Sequence, residues 1–420
     1  MIRQAPLYFL LGLALAACGA KAKITNPPSS CSDNAQNGDE IGVDCGASCP
    51  ACQATRTRKI VPDPNGGVYI GDFPGTHDVF EQAIGRQVSV KGEPCTVSDD
   101  VIDGKEVQRL PAVDIACLQQ ELDQGRVVRL TMQSWFCRDT PAAFTVQDVI
   151  DGKIDSELRS VARALAQWGG PVFWHYMVEP VVQWPGHGPD GQDCRWRCDE
   201  VEGFPGGVCD DIPAADPPEN FTQYGDPAKL DKIERYIDYH RRIHDVMEWE
   251  IEQLGLPSNI TWVAGHGTGG PEGYSYGTYW VGDDYVDWHA YGTYAGATLD
   301  PSGAVVVGCQ PFPEDLDAWN EVLSMGDKPV MLDEFGVMRE FLGEPACTDR
   351  AAWFAGFFDD LVTKYPQIGM LYYMELDLYP WATVIQPDDP AAAAWQSELA
   401  NRPERWPQCL AISDGSQVCR

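Results

Sequence analysis

Basic residues are scarce in this 420-residue chain: 30 Lys and Arg stand against 63 Asp and Glu, for a formal charge of −33. The acids are spread along the sequence rather than gathered in a tail. A phosphate backbone needs a basic surface, so nucleic acid is excluded as a partner, whereas a neutral polymer would not be repelled. Long apolar runs are also missing. Only Leu7–Ala17, near the start, is continuously apolar, and at that length it is too short to span a bilayer. No internal sequence repeat is evident.

The short apolar run is a secretion signal, with Arg3 as its positive n-region. It closes with Leu15-Ala16-Ala17-Cys18, which resembles a bacterial lipobox. On that reading residues 1–17 are removed, and the lipidated Cys18 anchors the mature protein to a membrane in the bacterial cell envelope, at the outer-membrane surface or in the periplasm. The competing reading is ordinary cleavage near Ala17, with Cys18 an incidental thiol. Cysteine arithmetic favours the anchor: of 15 cysteines, removing Cys18 leaves 14, an even number suited to disulfides in an oxidising compartment.

Residues 18–62 read as a Cys-rich stalk, poor in apolar periodicity and carrying Cys31, Cys45, Cys49 and Cys52. Their spacing admits a four-thiolate zinc site, but outside the cytoplasm a disulfide-stapled module is the preferred reading, and no metal or cofactor is expected. Residues 63–420 alternate strands and helices. Expected strands are 67–71, 86–90, 126–135, 171–177, 260–264, 285–291, 329–333 and 368–374. An amphipathic helix is expected over Asp155–Trp168, and a longer one opens at Asp226-Pro227. Cys95 and Cys117, in an irregular insertion, are a candidate disulfide pair. Eight strands with intervening helices predict a parallel (β/α)8 TIM barrel, which typically takes about 250 residues.

In such a barrel, catalytic groups sit at the carboxyl ends of strands. Lys328–Val337, KPVMLDEFGV, is an apolar strand ending in two acids, and Gly170–Trp184, GPVFWHYMVEPVVQW, is another ending in Glu179. Two strand-end acids fit the cleavage of a sugar–sugar bond, which usually takes two carboxylates. Fourteen Trp and sixteen Tyr suit a carbohydrate binder, although large cores use aromatics too. Because alternate residues of a strand face opposite sides, only one of Asp333 and Glu334 is expected to point into the mouth. Glu375 is a third candidate acid. Trp280, Trp288 and Trp381 either line a cleft or fill gaps in the core, His266 and His289 either touch substrate or are structural, and Asp283-Asp284 is either a calcium ligand pair or a solvated turn.

Three stretches carry a family resemblance. Asp148–Pro180 runs from Gly152 and Asp155 through a helix and a strand to an acid. Tyr279–Tyr294, YWVGDDYVDWHAYGTY, ends in a tyrosine, and Lys328–Val337 leads to the second acid. Together they resemble glycoside hydrolase family 26, the family of many β-mannanases, over residues 67–385. The resemblance implies a retaining, endo-acting hydrolase of a β-linked polysaccharide, foremost β-1,4-mannan, with β-glucan or xylan behind it; a monomer is expected. It implies Glu179 as acid/base, Glu334 as nucleophile, Tyr294 as the residue orienting that nucleophile, and Trp184 as the floor of the sugar site. His175 and Trp381 are further candidate substrate contacts. The family carries His directly before the acid/base, where this chain has Val178. That departure keeps open a second reading, a barrel that binds glycan without cutting it, and a third, a structural surface protein.

Overall fold

The computed structural model describes residues 57–73, 77–92, 95–102, 105–132, 149–176, 232–266, 280–299, 305–313, 316–341, 344–375, 377–378 and 381–419. Cys18, Glu179 and Trp184, together with Val178 and the cysteines of the stalk, lie outside the described residues.

Eight parallel strands close on themselves. In chain order the first elements are β1 (Ile60–Val61), β2 (Tyr69–Phe73), α1 (His77–Ile84), β3 (Val90–Gly92), β4 (Thr96–Ile102), β5 (Lys105–Val113), α2 (Ile115–Asp123) and β6 (Val127–Met132). Then follow α3 (Asp155–Trp168), β7 (Val172–Tyr176), α4 (Lys232–Gln253), β8 (Ile260–His266), β9 (Trp288–Tyr291), β10 (Thr293–Leu299), β11 (Val305–Gly308) and α5 (Leu316–Ser324). The nucleophile-strand candidate is β12 (Val330–Val337). After it come two-residue strands β13 and β14 (Glu340–Phe341, Glu344–Pro345), α6 (Arg350–Thr363) and β15 (Ile368–Met374). The chain ends with β16 and β17 (Asp377–Leu378, Trp381–Ala382), α7 (Pro390–Asn401), β18 (Cys409–Ile412) and β19 (Gln417–Cys419). The hydrogen-bonded order β12-β15-β2-β3-β6-β7-β8-β9 returns to β12 through Val330↔His289 and Met331↔Ala290, so the sheet is a closed barrel. The expected TIM barrel is therefore the fold.

Side-chain alternation sorts the core. Tyr69, Val90, Val127, Phe173, Val263, Trp288, Met331 and Met370, one from each barrel strand, meet in a single buried cluster, the barrel interior. Their sequence neighbours Ile70, Val128, Trp174 and Leu332 fall in two other clusters, shared with the surrounding helices. The bottom of the barrel is plugged by Ile60, Leu410, Ile412 and Val418, which join the interior cluster from the small sheet β1-β18-β19. The Tyr69 hydroxyl ties that plug to the wall, donating to Val61 O and accepting from Ala411 N. Ile60 N donates to Thr261 Oγ1, and Trp288 Nε1 donates to Ile60 O. Residues 57–61, read from sequence as the end of the tether, are thus part of the barrel's floor. Two residues of backbone hydrogen bonding carry too weak a pattern to be seen in sequence. Trp288 is likewise floor, not cleft.

Helix α3 matches its expected span. Leu158, Val161, Ala162 and Leu165 form its buried stripe, and Gly169 at φ 74° stops it in the left-handed conformation. Three ion pairs bind it to α4: Asp155 to Arg242, and Glu250 to both Arg159 and Arg163. Gly152, at φ 74°, lets Arg242 reach Asp155, since a Cβ there would stand 2.5 Å from Arg242 Nη2. The insertion expected to be irregular contains a β4–β5 hairpin. Cys95–Cys117 is a disulfide, as the sequence suggests, and Cys309–Cys347 and Cys409–Cys419 are two more.

Candidate active site

Strands β6, β7 and β12 bring together three polar side chains, Arg129, His175 and Asp333, that are all nearly inaccessible. Arg129 lies on β6, where Val127 points inward and Val128 outward, so strand alternation turns Arg129 inward as well. Its guanidinium stands 4.4 Å from the centre of the Tyr372 ring and 5.3 Å from that of Phe73. It is fully buried and ion-paired to Asp333. His175 follows the inward Phe173 by two residues on β7. Its Nδ1 is 3.1 Å from Asp333 Oδ2 and 3.2 Å from Arg129 Nη1. An arginine side chain only donates, so a proton on Nδ1 directed at Asp333 is the arrangement that leaves both contacts to the carboxylate satisfied.

Next to Asp333, Glu334 is also buried, at 5% exposure. Both acids reach the mouth because β12 is bulged. Leu332 pairs with Leu371 and Phe335 with Tyr373, so β12 takes three steps where β15 takes two. Leu332 and Phe335 both belong to the outer cluster, and the two residues between them share the inner side. The expectation that only one of the two acids faces inward is corrected by this extra residue. Asp333 is spent on Arg129 and His175, while Glu334 is left to meet β10.

That strand carries Tyr294. The chain turns through Gly292 from β9 into β10, which takes over pairing with the upper half of β12, Thr293↔Phe335 and Tyr294↔Gly336. The Tyr294 hydroxyl donates to Glu334 Oε2 at 3.4 Å. Gly336 makes room for it, because a Cβ at 336 would stand 3.0 Å from the Tyr294 ring and 2.9 Å from Thr383 Cγ2. The sequence-predicted pair Tyr294 and Glu334 is brought together.

The other candidates fall elsewhere. His175 is 1% exposed, with its Nδ1 against Asp333. Trp381 pairs with Phe341 and Leu378 in a four-stranded sheet built from the segments that follow β12 and β15; its indole lies outside the described residues. His289 points outward from β9, against the Trp280 ring at 4.7 Å, beside a cavity of about 190 Å³ that Lys328 and Pro329 also line. Its pKa is lowered to about 4 because burial, joined by the nearby charge of Lys328, outweighs the raising effect of Asp283, so it is a neutral histidine near pH 7. Asp283-Asp284 opens a short 3-10 turn, and among the described residues no group of acids, His and Cys is arranged to hold a metal. Arg129 was not singled out in the sequence. The signal was a charged residue in the middle of the apolar strand RVVRLTM, a place where arginine is rarely buried unless paired.

No protein-family model and no curated protein matches this sequence. Among solved structures the chain is similar to Bacillus subtilis mannanase BCman, at 12% identity over 79% of this chain and 85% of that one, with a TM-score of 0.46. It is similar to a GH26 β-mannanase from Bacteroides ovatus at 13% identity, covering 81% and 90% with a TM-score of 0.47. A double mutant of the Cellulomonas fimi endo-β-1,4-mannanase gives 15%, 84%, 73% and 0.49 for the same quantities.

Proposed function

We propose that this protein is a retaining glycoside hydrolase cutting within a β-linked polysaccharide, foremost β-1,4-mannan. The observation that carries the reading is Glu334, presented by a bulge at the carboxyl end of a barrel strand and held by the Tyr294 hydroxyl. Glu334 attacks the anomeric carbon and forms a glycosyl-enzyme, while Glu179 gives its proton to the leaving oxygen. A water, deprotonated by Glu179, then releases the sugar and restores Glu334. Tyr294 fixes the carboxylate for attack, and Trp184 stacks on the sugar. The choice of mannan rests on the sequence stretches that resemble family 26. The polymer is the partner, the enzyme works as a monomer, and a lipid on Cys18 holds it in the cell envelope.

Reducing-sugar release from mannan, mixed-linkage glucan and xylan tests the activity, and two variants test the roles. Glu334→Ala is expected to stop both steps. Glu179→Ala is expected to keep forming the glycosyl-enzyme from a substrate with a good leaving group, and azide should rescue its turnover. A folded variant of either residue with near-wild-type turnover on the best polymer would sink the assignment. Val178, where the family has His, favours one alternative: a wild type that binds an insoluble glycan and cuts none of the panel would be a binding barrel.

A further inference from the structure

The β12 bulge creates an electrostatic problem whose solution is built into the neighbouring strands. Two adjacent carboxyls turned into one enclosed mouth would hinder each other's ionisation, since a like charge nearby favours the protonated form. Asp333 is met from two sides, Oδ1 by the Arg129 guanidinium of β6 and Oδ2 by Nδ1 of His175 of β7. The rings of Tyr372 on β15 and Phe73 on β2 pack against the same guanidinium. Glu334 is met separately, by Tyr294 of β10. Among the described residues the side chains that contact Asp333 are one guanidinium and one imidazole; the buried Glu375, directly after β15, is a further acid next to β12 and is common to every variant compared below.

From this arrangement we infer that Arg129 and His175 are positioning residues acting through Asp333: they cancel its charge inside the barrel, so that Glu334 ionises as though its neighbour were neutral. The inference rests on Glu334 as the attacking group, but its core claim concerns charge and is measurable without turnover. Removing Arg129 leaves the Asp333 charge facing Glu334, which raises the pKa of Glu334. Removing Asp333 leaves Arg129 facing Glu334, which lowers it. A structural role alone would not produce opposite signs.

The test is a direct titration of Glu334 by carbon NMR in protein labelled at the glutamate carboxyls, with the signal assigned by its loss in Glu334→Gln. Relative to wild type, Arg129→Met is expected to move the Glu334 midpoint up and Asp333→Asn to move it down, each by about one pH unit or more. In Arg129→Met/Asp333→Asn the midpoint should return to within a few tenths of a unit of wild type. Where the polymer is cleaved, the acid limb of the kcat/KM profile should follow the same three directions. Unmoved midpoints in folded variants, or shifts of the same sign, overturn the inference. If Arg129→Met does not fold, Asp333→Asn decides alone, by a downward shift or none. A wild type that cleaves nothing but shows these shifts would refute the hydrolase reading while leaving the charge cancellation standing.

Discussion

Gly336 shows how closely single residues control this site. It lies directly across from Tyr294 in the β10–β12 pairing, and the space that its missing Cβ leaves is filled by the Tyr294 ring and Thr383. Neither neighbour can yield easily. Thr383 is fully buried, and its Oγ1 donates to Met374 O. Gly336→Ala is therefore expected to push the tyrosine away from Glu334. The steric cost should be about 1–3 kcal/mol of stability. On the proposed mechanism kcat should fall by roughly tenfold or more with KM little changed, because the Tyr294 contact orients the nucleophile rather than binding the polymer. Thermal melts and steady-state kinetics on the same preparation check both halves. An alanine variant with wild-type kcat would mean that the Tyr294 hydroxyl has no part in orienting Glu334. The same reasoning revises what is expected of Asp333. As a mere rival acid it would tolerate Asp333→Asn, but the change strands a buried guanidinium, and breaking a buried pair in this way costs about 3–5 kcal/mol.

At the scale of elements, β9 and β12 each carry polar groups where an apolar strand would be simpler. In β9 the polar group is His289, wedged between the barrel and the segment around Lys328. Its folded pKa of about 4 lies below the ordinary value near 6.5 because burial disfavours the charged imidazolium. The unfolded chain therefore takes up this proton first on acidification. The stability that His289 contributes is intact above about pH 6.5 and is lost as the pH falls toward 4, by up to roughly 3 kcal/mol. Denaturant melts at pH 7 and pH 4.5 should show that loss in the wild type and a smaller one in His289→Gln. Equal losses would place the acid sensitivity elsewhere. Glu250, on α4, behaves in the opposite sense. Burial works to raise its pKa, but the hydrogen bonds and charges of Arg159 and Arg163 outweigh it and hold the carboxylate below its usual range. The clamp between α3 and α4 therefore holds until the pH falls through that lowered value.

Across the whole molecule, the two ends of the described chain meet at the barrel's floor. β1 pairs with β18 through Ile60↔Ile412 and Val61↔Ala411, and the Cys409–Cys419 disulfide closes the hairpin that completes the plug. Residues at both ends of the described chain are thus built into the floor of the barrel. The anchor itself is tested by location. Wild-type protein should partition into detergent with membranes, and Cys18→Ser should release it or block its processing. A Cys18→Ser variant that stays membrane-bound and acylated would overturn the lipobox reading.

What the sequence determined by itself was whatever follows from local periodicity. The strand–helix alternation predicted the barrel, since each amphipathic stretch has one face to bury and the chain order leaves few ways to bury it. Helix α3 and strand β15 kept their expected limits because their apolar patterns are unbroken and, for α3, a glycine ends the run. Tyr294 and Glu334 were legible through motif order. Three features were not. The floor formed by β1 and β18 joins residues more than 340 positions apart, and two-residue strands carry no period. Arg129 was hidden because its partners, His175 and Asp333, lie on other strands. The inward turn of both Asp333 and Glu334 contradicts the strict alternation of a lone strand. Only pairing with β15 inserts the extra residue in β12, and that register is a property of two strands held side by side, which neither strand's sequence specifies alone.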